Sequence, residues 1–179
     1  MGGIDPRRLV FLDESGAKTN MTRLYGRVFG GQRLVDTTPH GHWGSTTILS
    51  SLRLDGSTAA MVIEGATDTP VFRAYVDHVL IPSLRPGDLV VMDNLAPHRR
   101  PEVLGALERL GVTVWHLPPY SPDFNPIEQM WSKIKAYLRR AKARTQATLL
   151  RAIARALRTV TASDAAGWFQ HCGYRYSQS

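Results

Sequence analysis

Leu89-Val90-Val91-Met92 is an uninterrupted apolar run that ends at Asp93. A strand that is apolar on both faces is typical of the centre of a sheet that carries helices on both sides. A second run of this kind, Leu9–Leu12, ends at Asp13. The two runs predict two buried strands of one sheet, each followed directly by an aspartate, and the polar residues at 13–16 predict a turn after the first strand.

The rest of the chain supplies further strands and then helices. β-rich stretches predict strands at 24–29, 46–54, 59–63 and 112–115, with a hairpin turn at 30–31. Helical periodicity predicts helices over 69–80 and 101–110, and about three helical segments after Asn125. Strands first and strand–helix alternation afterwards predict an α/β fold with a mixed sheet flanked by helices. In such sheets polar residues at the carboxyl ends of strands form sites, and we expect Asp13 and Asp93 there.

The composition is that of one globular domain. The chain has 179 residues, of which 43% are hydrophobic and 21% are charged, and this excludes a disordered or collagen-like chain. No run approaches the about 18 apolar residues of a membrane-spanning helix. Cys172 is the only cysteine, so neither an internal disulfide nor a multi-cysteine zinc site can form within the chain.

Positive charge is concentrated in the last quarter of the sequence. Residues 1–132 contain 12 basic and 14 acidic residues, whereas residues 133–179 contain ten basic residues and one acid. Such asymmetry is typical of proteins that bind a polyanion, most simply nucleic acid. A solvated helix surface or a contact with a partner helix would show the same pattern, so charge alone leaves these alternatives open.

Helical spacing divides this basic region into two groups. Lys135 and Arg139 share a helical stripe with Glu128, so we expect these two residues and Arg140 to contact the phosphate backbone of a nucleic acid. The second group, Arg151, Arg155 and Arg158, is not assigned to a partner. It is predicted to lie opposite an apolar face formed by Leu149, Leu150, Ile153, Ala154 and Leu157.

Three carboxylates have unusual settings. Asp13 and Asp93 follow buried strands, and Glu128 ends a proline-rich segment that enters a helix. Rigidly held carboxylates suit a hard cation such as Mg²⁺, and two such ions about 3.5–4 Å apart can promote phosphodiester cleavage. Both aspartates also fit simple turns, and Glu128 fits position N3 of a capping box that begins at Asn125. Spacing alone leaves these interpretations open.

Three blocks of sequence contain these acids: Phe11–Ser15, Val91–Asn94 followed by His98, and Leu117–Glu128. Thirty-four residues separate the second acid from the third. The blocks resemble the catalytic domain of DDE transposases of the mariner superfamily, specifically the branch of bacterial insertion sequences. The segments 39–43 and 172–174 are also similar to that family.

The resemblance implies a ribonuclease H-like fold with a catalytic, metal-binding triad of Asp13, Asp93 and Glu128. It implies two Mg²⁺ ions, for which Mn²⁺ can substitute, and cut-and-paste movement of DNA into TA dinucleotides. From their positions, Asn94 is expected to support Asp93 outside the ligand set. His98 is expected to contact a phosphate or to orient a ligand, with a capping role before the helix that begins at Pro101 as the alternative. The alternatives left open are a ribonuclease H-like nuclease without strand transfer and a catalytically idle DNA-binding remnant of an insertion sequence.

The resemblance also implies partners and a location. We expect double-stranded DNA, both transposon ends and target, as the substrate, with a homodimer assembled on it in the bacterial cytoplasm, acting on the nucleoid. Family transposases carry an N-terminal helix-turn-helix module that recognises transposon ends. Residues 1–179 begin almost at the first catalytic strand, so we expect this module to be absent from them and to be encoded upstream or missing from a fragment.

Overall fold

Five strands form one mixed sheet in the computed structural model, which describes residues 4–22, 45–119 and 121–175. The strands are β1 (Leu9–Ala17), β2 (Thr46–Arg53), β3 (Thr58–Glu64), β4 (Leu89–Met92) and β5 (Thr113–His116). Across the sheet their order is β3-β2-β1-β4-β5. The first three strands pair antiparallel, whereas β1, β4 and β5 run parallel. The mixed sheet is as predicted, while the strand and turn predicted at 24–31 lie outside the described residues.

The predicted helices are present. They are α1 (Thr69–Tyr75), α2 (Pro101–Arg109), α3 (Pro126–Ala141), α4 (Gln146–Leu157) and α5 (Ala162–His171). The first of them continues as a π-helical turn, Val76–Leu80, and a 3₁₀ turn, Ile81–Ser83. Asp68 begins α1 by accepting a hydrogen bond from the Val71 N–H at 2.9 Å. Of the helices in the described residues, none is both long and apolar enough to cross a membrane.

Two hydrophobic cores, one on each face of the sheet, explain the uninterrupted apolar runs. In β1, Leu9 and Phe11 face a core shared with α3, α4 and α5, whereas Val10 and Leu12 face a core shared with α1 and α2. In β4, Val91 and its neighbours alternate between the same two cores. Because successive side chains of a strand point to opposite faces, a strand covered on both sides is apolar throughout.

The turn predicted at 13–16 is wrong. β1 continues to Ala17 because its antiparallel partner β2 stays paired with it, from Val10 opposite Arg53 to Ala17 opposite Thr46. The parallel pairing with β4 ends earlier, at Phe11 opposite Val91. Asp13 therefore lies inside a strand, two residues beyond the last pair with β4. The end of the apolar run marked the end of the parallel ladder and not the end of the strand.

The apolar face predicted for α4 is partly wrong. Leu150 is 42% exposed and Ala154 is also exposed. The side that faces the core consists of Leu149, Ala152, Ile153 and Ala156. Alanines at 152 and 156 fit closely against neighbouring elements, so a count of large apolar residues placed the buried side about a quarter of a turn away from its actual position. The arginines of α4 are exposed, as predicted.

Candidate active site

The three acids belong to elements that meet at one end of the sheet. The parallel register pairs Phe11 with Val91, and two residues further on along each chain lie Asp13 and Asp93. Glu128 is in the first turn of α3, a helix that packs against β1 and β2. The topology therefore brings together residues that are up to 115 positions apart in the sequence.

Asp13 is held by two hydrogen bonds, one to each carboxylate oxygen. The Glu14 N–H donates to Oδ1 at 2.8 Å, and Trp131 Nε1–H donates to Oδ2 at 3.1 Å. Trp131 is only 2% exposed and lies on α3, three residues after Glu128. Besides packing in the core, this tryptophan is a donor to Asp13, a role that was not predicted. The helix that carries Glu128 thus also orients Asp13.

The pKa of Asp13 shows that the three carboxylates affect one another. Burial is the main cause that raises the pKa of this carboxyl to about 7, from an ordinary value of 3.8. The negative charges of Glu128 and Asp93 raise it further, while the hydrogen bonds from Glu14 and Trp131 oppose the change. A buried carboxyl beside two other carboxylates binds a proton readily because its charge is poorly solvated and is repelled.

Asp93 has surroundings of the opposite kind. Its Oδ1 accepts a hydrogen bond from the Leu95 N–H at 3.1 Å and lies 2.5 Å from His98 Nδ1. Burial alone would raise the pKa of Asp93, but the contact with His98, the hydrogen bond from Leu95 and the fields of His98 and His116 together hold it below its ordinary range. Asp93 is therefore stabilised in its charged form.

Two histidines fix the position of Asp93. His98 is 1% exposed, and its ring stacks on Phe72 with 4.2 Å between centroids. The Nδ1 of His116 lies 2.9 Å from the backbone oxygen of Asp93. His116 was missed in the sequence, because its place at the end of β5, opposite Met92, follows from the parallel register and not from a local pattern. Asn94 is exposed, and within the described residues its side chain forms no hydrogen bond with Asp93.

Glu128 is exposed at position N3 of α3, and the capping box considered for it is not formed. The Asn125 side chain makes no capping hydrogen bond, and the Asn125 N–H donates to the Pro122 oxygen at 3.0 Å. By contrast, α4 and α5 begin with complete capping boxes at Thr145 and Thr161. The structure thus shows no capping box for Glu128, whose charge raises the pKa of Asp13 from an exposed position.

The chemistry of these donors fits a hard divalent cation. Carboxylate oxygens are the ligands that Mg²⁺ prefers, and their mutual repulsion is relieved when such a cation binds. Across residues 4–22, 45–119 and 121–175, no three His, Cys, Asp or Glu side chains are close enough together to hold a metal. The three acids therefore affect one another through their charges, but their side chains do not form a complete metal-coordination site.

The basic residues of α3 have two different environments. Lys135 and Arg139 are half-buried on the helical stripe that begins at Glu128, and Arg140 is exposed further around the helix. Lys133 is part of the fold, because its Nζ donates to the Thr159 oxygen at 2.7 Å and forms an ion pair with Asp164. The three residues predicted to contact DNA thus lie at the surface.

This arrangement of strands and helices is the ribonuclease H-like fold of transposase and integrase catalytic cores, as predicted. A family model of DDE superfamily endonucleases matches residues 8–150, and the chain belongs to that family. No curated protein matches the sequence.

Solved structures share the fold at low sequence identity. The pre-cleavage Mos1 transpososome has a TM-score of 0.69 at 15% identity, over 97% of this chain and 58% of that one. The Mos1 strand transfer complex gives a TM-score of 0.69 at 17% identity, over 92% and 51%. The catalytic core of BIV integrase gives 0.57 at 17% identity, over 94% and 99%. The chain therefore spans little more than half of the Mos1 chains and about the whole of an integrase core.

Proposed function

We propose that this chain is the catalytic domain of a transposase that cleaves DNA phosphodiesters and transfers the freed strand to a target in cut-and-paste transposition. Asp13, Asp93 and Glu128 are the proposed catalytic and metal-binding residues. The proposed cofactor is a pair of Mg²⁺ ions, with Mn²⁺ as a substitute. The family match to DDE endonucleases supports the chemistry, and the 34-residue spacing between the last two acids supports the bacterial insertion-sequence branch.

The observation that carries this proposal is the convergence of three acids from different elements: Asp13 of β1 accepts from Trp131 of the helix that carries Glu128, and it lies within the fields of Glu128 and Asp93. Burial and the charges of Glu128 and Asp93 bring the pKa of this carboxyl to about 7. A structural aspartate is normally hydrogen-bonded or paired so that its charge is stabilised. Asp13 accepts two hydrogen bonds, but it lies beside two further acids and no cation is among the groups that set its pKa. Perturbed carboxylates that converge from different elements are typical of functional sites.

The residues around the acids have distinct proposed roles. Bound divalent metal would supply a nucleophile from water and charge stabilisation for the departing oxygen. Asp13, Asp93 and Glu128 would hold it, since they offer oxygen donors at one end of the sheet. Trp131 keeps the Asp13 carboxylate oriented through its Nε1–H, and His98 keeps Asp93 charged and in place. Asn94, exposed beside Asp93, is proposed to contact this ligand set from outside.

The proposed substrate is double-stranded DNA, both transposon ends and a TA-containing target. Lys135, Arg139 and Arg140 are the residues proposed to contact phosphates next to the acids. The proposal is supported by the stripe of Glu128 along α3, which the first two continue. The remaining parts of the proposal follow from the resemblance to mariner-type transposases: a homodimer assembled on DNA, end recognition by a helix-turn-helix module outside residues 1–179, and action on the nucleoid in a bacterial cytoplasm.

The test is an assay of products with a labelled duplex and an unlabelled circular target. We expect cleavage with Mg²⁺ or Mn²⁺, none with EDTA, and labelled strands joined to the target. The Asp13→Asn chain is the matched control and should give neither product. Cleavage without joined strands would leave a nuclease and overturn the transfer step. No cleavage under any metal, with the fold intact by circular dichroism, would indicate an idle DNA-binding remnant.

A further inference from the structure

Residues 172–174, directly after α5, have no part in the proposed reaction, but they contact the chain where it enters α3. The Tyr174 hydroxyl donates a hydrogen bond to the backbone oxygen of Phe124 at 2.8 Å. Gln129, near the start of α3, donates from Nε2 to the Cys172 sulfur at 3.8 Å. These contacts join positions that are 50 and 43 residues apart in the sequence, so the end of α5 is tied to the start of α3.

Tyr174 takes its place because α5 ends in a left-handed turn. Gly173 has φ +88°, a conformation for which glycine is favoured just past a helix end. The Gly173 N–H donates to the Gln170 oxygen at 3.0 Å, and the Tyr174 N–H donates to the Phe169 oxygen at 2.9 Å. These two bonds form a Schellman motif, in which the last residue commonly makes an apolar contact with the helix. The motif accounts for the backbone and ring of Tyr174 but not for the hydrogen bond of its hydroxyl.

The ring of Tyr174 packs against the strand that carries Asp13. Its centroid is 5.1 Å from that of Phe11 and 6.0 Å from that of Phe169, and these two phenylalanines contact each other edge to face at 5.2 Å. Both are fully buried, and Phe11 lies two residues before Asp13 in β1. Because buried side chains are closely packed and held in single rotamers, the ring of Tyr174 is fixed with respect to β1.

The loop that accepts the hydroxyl has few contacts of its own with the core. Residues 122–124 are exposed, and Phe124 is 54% exposed. Their backbone hydrogen bonds are local, such as that from the Phe124 N–H to the Ser121 oxygen at 3.2 Å. Within the described ranges, the bond from Tyr174 is the hydrogen bond that joins residues 122–124 to another element of the fold.

The start of α3 has no side-chain cap that could hold this loop. The Asn125 side chain is buried, but its Oδ1 has no hydrogen-bond partner among the described residues. A helix normally begins with a side chain that accepts from its first free N–H groups, as α4 and α5 do. The bond from Tyr174 to the residue before Asn125 therefore holds the entry of α3 from outside the helix.

We propose that Tyr174 is a positioning residue that fixes Glu128 with respect to Asp13. Its ring packs two residues before Asp13, and its hydroxyl holds the loop four residues before Glu128. One side chain thus connects the two elements that carry these acids. Burial, with a smaller contribution from Cys172, raises the pKa of Tyr174 to about 12, so the hydroxyl keeps at neutral pH the proton that it donates.

The consequence concerns metal binding, and in this respect the inference rests on the proposed function. A site of this kind needs its ligands within about 0.5 Å of the productive geometry. A loop that moves more freely before Glu128 therefore weakens metal binding, although every ligand is still present.

The first test measures the loop in the absence of metal and DNA. Tyr174→Phe removes the hydroxyl and keeps the ring. Hydrogen exchange of the Asn125 and Glu128 amides, followed by NMR on the full chain, should become about 2–10-fold faster, the range for loss of one hydrogen bond. The matched control is Tyr137→Phe, which removes the hydroxyl of a half-buried tyrosine on α3 that has no hydrogen bond within the described residues. It should leave both amides unchanged.

The second test measures the metal itself. Titration of the full chain with Mn²⁺, followed by electron paramagnetic resonance, should show about 10-fold weaker binding for Tyr174→Phe, the low end of the range for residues that orient metal ligands. The Mg²⁺ concentration for half-maximal cleavage should rise by the same factor, with an unchanged KM for DNA. A residue that only stabilised the fold would lower the melting temperature without changing this metal dependence.

The outcomes separate this inference from the proposed function. Unchanged exchange, or faster exchange with unchanged metal dependence, in a chain that cleaves would overturn the role of Tyr174 and leave the transposase intact. Equal effects of Tyr174→Phe and Tyr137→Phe would also overturn it. A wild-type chain that neither binds Mn²⁺ nor cleaves would contradict the proposed function, and hydrogen exchange alone would then decide whether Tyr174 holds the loop.

Discussion

The surroundings of Asp13 and those of Asp93 differ in what faces the negative charge. Asp13 receives hydrogen bonds from a backbone amide and the Trp131 indole, both neutral donors, and burial leaves its pKa at about 7. Asp93 lies against the His98 imidazole, which stabilises the charged form and lowers the pKa. The protein thus raises the pKa of one carboxyl and lowers the pKa of the other, although both follow neighbouring parallel strand pairs.

Because of these different surroundings, the two acids depend on external positive charge to different degrees. Asp93 is already compensated by the protein, so it can remain ionised with no cation bound. Asp13 has no cationic side chain among the partners that set its pKa, and it becomes fully charged near neutral pH only when something else offsets Glu128 and Asp93. A divalent cation would therefore affect Asp13 more strongly than Asp93.

The largest expected effect is on catalysis. Asp13→Asn, Asp93→Asn and Glu128→Gln should each abolish Mg²⁺-dependent cleavage, because each removes a charged donor from a set of three. The Glu128→Gln chain should keep the melting temperature of the wild type, since the structure shows no capping box at Asn125. Cleavage and thermal melting are measured on the same preparations. Retained activity with a large drop in stability would assign Glu128 to the fold.

The next effect compares the stabilities of the two aspartates in buffer with EDTA. Asp13 has a folded pKa of about 7, above its ordinary 3.8, so its ionised form costs the folded state an amount that grows as the pH rises from about 4 to 7. Asp13→Asn removes that cost and should stabilise the chain by about 1–4 kcal/mol at pH 8, at 1.36 kcal/mol per pKa unit. Below pH 4 the gain should vanish.

Asp93→Asn should act in the other direction. Its pKa is lowered, so the charged form stabilises the folded state above its ordinary pKa, and an amide cannot make the charge-assisted bond to His98. We expect a decrease of about 0.5–1 kcal/mol in the free energy of unfolding at neutral pH, because the Asp93 side chain is 39% exposed and solvent screens its contact with His98. Chemical denaturation of both variants decides the comparison. Shifts of equal sign would show that the two environments do not differ as described.

A smaller effect on catalysis is expected from the residues that hold the aspartates. His98→Ala should reduce cleavage by about 10–100-fold, the range for outer partners of metal ligands, because Asp93 loses the side chain that contacts its Oδ1. His98→Gln, which restores a polar donor, should recover part of the activity. Trp131→Phe tests the support of Asp13 in the same way, because it keeps most of the buried ring and removes only the Nε1–H that donates to Asp13. If these variants changed KM and left kcat unchanged, the result would indicate altered DNA binding instead.

The mixed sheet and its central strands were within reach of the sequence, because a doubly covered strand must be apolar throughout, as Leu89–Met92 is. The order of the strands was not predicted. The environment of each aspartate was not, because it depends on contacts between distant positions. Trp131 meets Asp13 across 118 residues and His116 meets Asp93 across 23. Each of these residues looked like part of a strand or a core. The length of β1 was also underestimated, because the antiparallel partner that extends it to Ala17 lies beyond residue 45.

The smallest effect concerns Asp164, an acid outside the site. It provides a control, because a cationic side chain holds its charge. Asp164 has a lowered pKa because Lys133 donates to it, and Thr161 adds further hydrogen bonds to the same oxygen. A lowered folded pKa stabilises the chain above the ordinary value of 3.8, and this stabilisation is lost as the pH falls through the folded pKa. Asp164→Asn should therefore lower the melting temperature at pH 7 and have little effect at pH 2.

The magnitude of that change should be small. The Lys133–Asp164 pair is partly exposed, and such pairs contribute less than about 1 kcal/mol, or about 2–4 °C in a chain of this size. Lys133→Met keeps the aliphatic packing of the lysine and removes its charge, so it should reproduce both the shift and its pH dependence. Melting curves of the two variants from pH 2 to 8 provide the measurement. A difference that persists at pH 2 would assign the stabilisation to the cap of α5 rather than to charge.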